Sequence, residues 1–217
     1  MSRNFTLAIV AITAFSCAPM CYGAGSKAVR ARIVDRTILW DAFLRTWEGQ
    51  SVPAPQELVP FLLNKEVKVK VTHEFLCRIF PDDSITKVPI SNNYARTLMH
   101  CHYNAQDYFM KLGIELQNKK VDAKTGIMVT DMKYKNIIYP NRSFFPSRWD
   151  KHRTMAKIVE AFNRLIKPLE PPIVGAKLTD HIVIFGKTRE NIVIKMVIDP
   201  SGEFITAFPD AKMNGLA

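Results

Sequence analysis

The run Ile192-Val193-Ile194-Lys195-Met196-Val197-Ile198, followed by Asp199-Pro200-Ser201-Gly202 and then by Glu203-Phe204-Ile205-Thr206-Ala207-Phe208, decides how the chain is read. Both arms are rich in β-branched and aromatic residues, and the four residues between them are turn formers, so they predict an antiparallel hairpin. An earlier run of the same kind, His181 to Phe185, joins them across Gly186-Lys187-Thr188-Arg189-Glu190-Asn191 and makes a three-stranded meander. Upstream, Met155, Ile158, Val159, Phe162, Leu165 and Ile166 recur at the spacing of one helix face, with Asp150 placed to cap the start and Pro168 to stop it. A helix that leads into an antiparallel meander predicts an α+β fold.

Further toward the N-terminus, Val29, Ile33, Val34, Ile38, Phe43, Leu44 and Trp47 predict an amphipathic helix over 27–47 that ends at Gly49. Ser51-Val52-Pro53-Ala54-Pro55 reads as a turn, 56–63 as a short helix, and Val67, Val69 and Val71 between Lys68 and Lys70 as a strand with a basic, solvated face. At the very start, Arg3 precedes the apolar run Leu7 to Phe15, and small residues follow at Gly23-Ala24, the pattern of a secretory signal peptide. The expected organisation is a signal peptide over 1–23, an N-terminal helical extension over 24–64 and the functional domain over 65–217. No other stretch reaches the roughly 18 apolar residues of a membrane span, so no stable membrane insertion is expected after cleavage, and the mature chain is expected to be secreted or periplasmic. Cys17 and Cys21 leave with the signal. Cys77 and Cys101 are then expected to pair as a disulfide in an oxidising compartment.

The 217 residues are 47% hydrophobic and 23% charged, enough to bury a core without a disulfide framework. Thirty Lys plus Arg against 20 Asp plus Glu leave a net charge of +10, which favours polyanionic partners. The excess is concentrated: residues 65–157 hold 17 basic and 9 acidic residues, with four of the five histidines, His73, His100, His102 and His152.

The chain lacks a Gly-rich phosphate loop, zinc-type Cys pairs, a His-Glu-x-x-His helix and a Gly-x-Ser-x-Gly elbow. Histidine chemistry remains. No convergent third ligand accompanies His100 and His102, so neither a metal site nor a cofactor is expected. Cys101 as a thiol nucleophile, with His73 as its base, is one alternative. The more economical one is RNA cleavage by two histidines and a lysine, which needs neither metal nor external nucleophile.

Arg142-Ser143-Phe144-Phe145-Pro146-Ser147-Arg148-Trp149-Asp150, running into the helix with Ile158-Val159-Glu160-Ala161-Phe162, resembles the bacterial EndoU nucleases. So does the end of the chain, Gly186-Lys187-Thr188 and then Asp199 to Pro209 with its Thr206-Ala207-Phe208-Pro209 terminus, and so does Asp122-Ala123-Lys124-Thr125-Gly126-Ile127. The resemblance implies an EndoU-like fold and cleavage of RNA at uridine-like bases to a 2′,3′-cyclic phosphate. It implies base recognition by Thr206 and Phe208, with Phe208 standing where many members have Tyr. His73 matches the family's first catalytic histidine, His102 or His100 the second, and Lys187 the ammonium, with Lys195 and Lys133 as alternatives. RNA is the implied partner, and a neutralising immunity protein is what a toxin resemblance adds. The competing class is a catalytically inactive RNA- or polyanion-binding module on the same fold.

Overall fold

The computed structural model describes residues 36–63, 66–81, 105–166 and 181–216. All of them fall in the unit Val34–Ala217. The predicted meander is present as β6 (Ile182–Lys187), β7 (Val193–Asp199) and β8 (Glu203–Pro209), paired antiparallel in that order. Two short strands extend it. β1 (Ser51–Pro53) pairs antiparallel with β2 (Lys68–Lys70), and β2 joins β8 in parallel at Lys70 and Glu203, giving the order β1-β2-β8-β7-β6. Val69 and Val71 are buried while Lys68 and Lys70 are exposed, as the alternation predicts.

A second sheet, β3 (Ile114–Val121), β4 (Met128–Tyr134) and β5 (Ile137–Phe144), is an antiparallel meander of its own. The protein is thus a mixed α+β fold with two sheets and a C-terminal three-stranded meander. Each sheet has its own core. Ile114, Met128, Met132 and Phe144 pack with Tyr108 and Phe109 of α3 (Gln106–Lys111). The larger sheet packs one face, Ile184, Ile194, Met196, Ile198, Phe204 and Ala207, against α2 (His73–Ile79) and α4 (Lys151–Phe162). Phe204 is the joint between those helices, its ring 5.2 Å from Phe75 of α2 and 5.1 Å from Phe162 of α4.

Helix α1 (Arg36–Trp47) brings Trp40 and Phe43 into this larger core, so residues 39–63 of the expected extension share it with the meander. Phe43 stands edge-on to Phe80 and to the ring of His152, 5.0 and 5.2 Å between centroids. Trp47 Nε1 donates to His152 Nδ1 at 3.1 Å, tying the end of α1 to the first turn of α4. The expected helix over 56–63 is a single 3-10 turn, Val59–Phe61, with Pro60 in it.

Two boundaries differ from expectation for local reasons. α4 starts as predicted, Asp150 accepting the Arg153 amide at 2.7 Å, but it ends at Phe162 rather than near Pro168. The next residues leave the helix to pair with β6: Leu165 bridges Gly186, and the Ile166 amide donates to the Phe185 carbonyl at 3.0 Å. His73 does not continue a strand. Thr72 Oγ1 accepts the Phe75 amide at 3.1 Å and caps α2, whose first residue is His73.

Where α4 crosses β6 the backbones nearly touch. A Cβ on Gly186 would lie 1.9 Å from the Ala161 carbonyl oxygen, so only glycine fits. The adjoining β6–β7 turn is fastened by charge. Glu190 accepts from Arg153 at 2.9 Å and Arg148 at 3.1 Å, and Glu160 accepts from Lys157 at 2.7 Å and the Arg189 amide at 2.6 Å. Burial works to raise the Glu190 carboxyl, but the hydrogen bonds from Arg153, Arg148 and Lys157 outweigh it and hold the group at about 2, against an ordinary 4.5.

Gly186→Ala is expected to cost about 3 kcal/mol, since neither backbone can yield cheaply. Urea unfolding measures it, and a loss below about 1 kcal/mol would mean that α4 slides freely over β6. The depressed Glu190 carboxyl contributes stability that is complete above about pH 4.5 and is lost as pH falls toward 2. Glu190→Gln should therefore flatten the stability profile in that window, with only a modest loss at neutral pH because its arginine partners are half exposed.

Candidate active site

The meander presents two chemically different faces because side chains alternate along each strand. Ile184, Gly186, Ile194, Met196 and Ala207 face the helices and are buried. The opposite face carries Val183, Phe185 and Lys187 of β6, Lys195 and Val197 of β7, and Thr206 and Phe208 of β8. Register aligns these in rows: Phe185 opposite Lys195 opposite Phe208, and next to it Val183 opposite Val197 opposite Thr206. The Lys195 ammonium stands between two rings, 5.8 Å from the centroid of Phe185 and 5.9 Å from that of Phe208.

Thr206 owes its place to a β-bulge. Ile198 pairs with Phe204 but Val197 pairs with Thr206, so Ile205 is an extra residue on β8. Without it, Phe204 and Thr206 would point the same way. With it, Phe204 enters the helical core while Thr206 turns to the face of Lys195 and Phe208, a re-aiming that bulges commonly perform beside functional sites. The adjacent strand end is held from the second sheet: Ser143 Oγ donates to the Pro209 carbonyl, bringing β5 against the residue after Phe208. Arg142, half-buried beside Ser143, has its guanidinium 5.8 Å from the Tyr139 ring.

Of the residues expected from sequence, Thr206, Phe208 and Lys195 come together, and Lys187 shares their face. Lys187 lies opposite Val193, one row beyond Lys195 and two strands from Phe208, whereas Lys195 is directly beside Phe208. Lys133 is elsewhere, on β4, 3.4 Å from Glu115. His73 is not brought to Thr206. It opens α2 in the layer that packs on the helical face of the sheet, its Nδ1 3.4 Å from Glu48 Oε2. His181 precedes β6 and pairs with Asp199 at 3.8 Å, while Asp199 is held below the usual carboxylate range by its hydrogen bonds from Ser201. His100, Cys101 and His102 lie outside the described residues, and so does the expected Cys77–Cys101 pairing. Cys77 is a free thiol on α2, which burial and then Glu48 and Glu74 push up to about 11. That is far from a nucleophile's value.

The chain matches the family model of the bacterial EndoU nucleases over residues 90–211. It is a member of that family. The match spans the second sheet, α4 and the meander with its Lys195 row, and it makes nuclease chemistry on a nucleic-acid substrate the activity of this fold. No curated protein and no solved structure matches the chain. Sequence reading of this family member overlooked Phe185, which looked like any strand aromatic. The one available signal was its place two residues before Lys187 on a strand whose other face is Ile184 and Gly186. Among the described residues no cluster of His, Cys, Asp and Glu fit to hold a metal ion occurs.

Because His73 belongs to the helical layer, His73→Ala should keep nuclease activity within about threefold of wild type. A fall of 10² or more, the cost of losing a proton-transfer group, would return His73 to the reaction.

Proposed function

We propose that the protein is a secreted endoribonuclease that cleaves RNA on the 3′ side of uridine-like bases and leaves a 2′,3′-cyclic phosphate. The observation that carries this reading is the row in which Lys195 stands beside Phe208, with Thr206 next to it, on the helix-free face of an EndoU-family sheet. An aromatic ring offers a stacking surface for a base, a hydroxyl one strand position away can meet a base edge, and an ammonium offsets phosphate charge.

In the proposed reaction a neutral imidazole takes the proton of the ribose 2′-hydroxyl, and the 2′-oxygen attacks the adjacent phosphorus. The bond from phosphorus to the 5′-oxygen breaks, and a protonated imidazole delivers its proton to that oxygen. No water is consumed in this step. His100 and His102 supply the imidazoles in this reading, on sequence grounds, and the buried Ala105 just after them packs with Phe144 at the β5 end. Lys195, rather than Lys187, supplies the ammonium, because it neighbours Phe208. Residues 1–23 act as the signal peptide, the product is exported, and an immunity protein protects the producing cell.

Incubating the mature protein with uridine-containing single-stranded RNA, with and without EDTA, and identifying the product ends tests the reading. Cyclic phosphate ends with metal chelated support it. RNA binding without turnover, weakening steeply as salt rises, would instead make the protein an inactive polyanion-binding module.

Four substitutions separate the roles. His100→Ala or His102→Ala should lower the rate about 10² to 10⁴-fold and flatten one limb of a bell-shaped pH profile. Lys195→Ala should slow cleavage at every base alike, by about 10²-fold, while Lys187→Ala stays within a few-fold. Thr206→Ala should blunt the preference for uridine over adenosine, measured on matched substrates.

A further inference from the structure

We infer that the open face of the meander holds two successive nucleotides, the uridine base on Phe208 and the base of its 3′ neighbour on Phe185, with the Lys195 ammonium between them. The inference rests on the ribonuclease reading and names the substrate unit that this site takes.

The geometry is that of a platform with two seats. β6 and β8 flank β7, so the two rings belong to strands about 10 Å apart, two inter-strand spacings. One base cannot cover both. Two unstacked bases of a splayed single strand can, each on its own ring, and single-stranded RNA is commonly bound in this way. Nζ of Lys195 is nearly equidistant from the two centroids, 5.8 and 5.9 Å, where the phosphate that links two such nucleotides would pass.

Phe185 is also misplaced for a purely structural role. Its neighbours Ile184 and Gly186 face the helices and are buried, Gly186 against the Ala161 backbone, while Phe185 is half-buried on the other side. Val183, beside it on that face, is 43% exposed. The two seats differ in what surrounds them. Thr206 supplies a hydroxyl near Phe208, whereas Val183, the strand neighbour of Phe185 in that row, is aliphatic. The first seat can therefore discriminate among bases, and the second holds any base by its π-face.

The mature protein should cleave uridylyl-3′,5′-adenosine with a higher kcat/KM than uridine 3′-methyl phosphate, which has the same scissile centre but no second base. Phe185→Ala should reduce that ratio about tenfold, mostly through KM, and Phe185→Trp should restore it. A ratio unchanged in Phe185→Ala, or both substrates falling together without rescue by Trp, would overturn the second seat. If the wild type cleaves neither compound, the ribonuclease reading falls, and the platform is then judged by binding of the 2′-deoxy analogue of the dinucleotide. Weakening by about tenfold in Phe185→Ala, with binding of uridine 3′-phosphate retained, supports two seats; equal weakening of both, or of neither, overturns them.

Discussion

Phe144 and Phe145 send consecutive side chains into two different cores, and the arrangement of the two sheets depends on that divergence. Phe144 ends β5 and packs edge-on to Phe109, 6.0 Å away, in the core under α3. Phe145 enters the core of the larger sheet and stacks on Trp149, also at 6.0 Å. Both rings are fully buried, so neither sheet can shift against the other without exposing one of them. Loss of a buried phenyl side chain costs about 3–5 kcal/mol, which makes this short stretch the dominant constraint on the joint. Ser143 adds a directional tie to the Pro209 carbonyl, and the turn closed by the Trp149 amide on the Pro146 carbonyl leads straight to the Asp150 cap of α4. One segment thus ends a strand, joins two cores and starts a helix.

The helical layer and the chemical face are separated by the sheet itself. Gly186 lets α4 lie against β6, and the Glu160 and Glu190 carboxylates fasten the β6–β7 turn to the same helix. With one face committed to packing, the other carries the polar and cationic side chains that the core cannot accept. Lys195 is an example: on a central strand it has no place in an apolar core, and the pleat turns it outward between Phe185 and Phe208. The rigid sheet beneath then holds these groups in fixed rows, which suits a site that works by positioning rather than by closure.

The N-terminal elements serve the same layer. Trp40 and Phe43 of α1 pack beside α4, Lys151 lies 4.4 Å over the Trp40 ring, and His152 accepts the Trp47 indole. His152 and His73 are thus engaged on the helical side, one by Trp47 and Phe43 and the other by Glu48. Two of the basic residue types that make this chain look like a nucleic-acid enzyme in composition are here structural in use.

What the sequence by itself determined was set by local chemistry. The meander was legible because β-branched runs alternate with turn formers, α4 because its apolar residues recur on one face behind an Asp cap, and the family resemblance because the Phe-Phe-Pro and Thr-Ala-Phe-Pro segments are contiguous. The lysine-rich second sheet was largely illegible, since β3, after Ile114, reads Glu-Leu-Gln-Asn-Lys-Lys-Val with little burial and gains its strand identity from pairing with β4. His73 was misread because a single hydroxyl, Thr72, turns an apparent strand into a helix start. The end of α4 was misread because backbone pairing with β6 outcompeted further helix. Only the tertiary structure decided that Lys195 rather than Lys187 stands beside Phe208, and that a bulge at Ile205 turns Thr206 to the same face. Both are matters of register between strands, and register is fixed by which side chains can share a core, a non-local choice that no single stretch of sequence encodes.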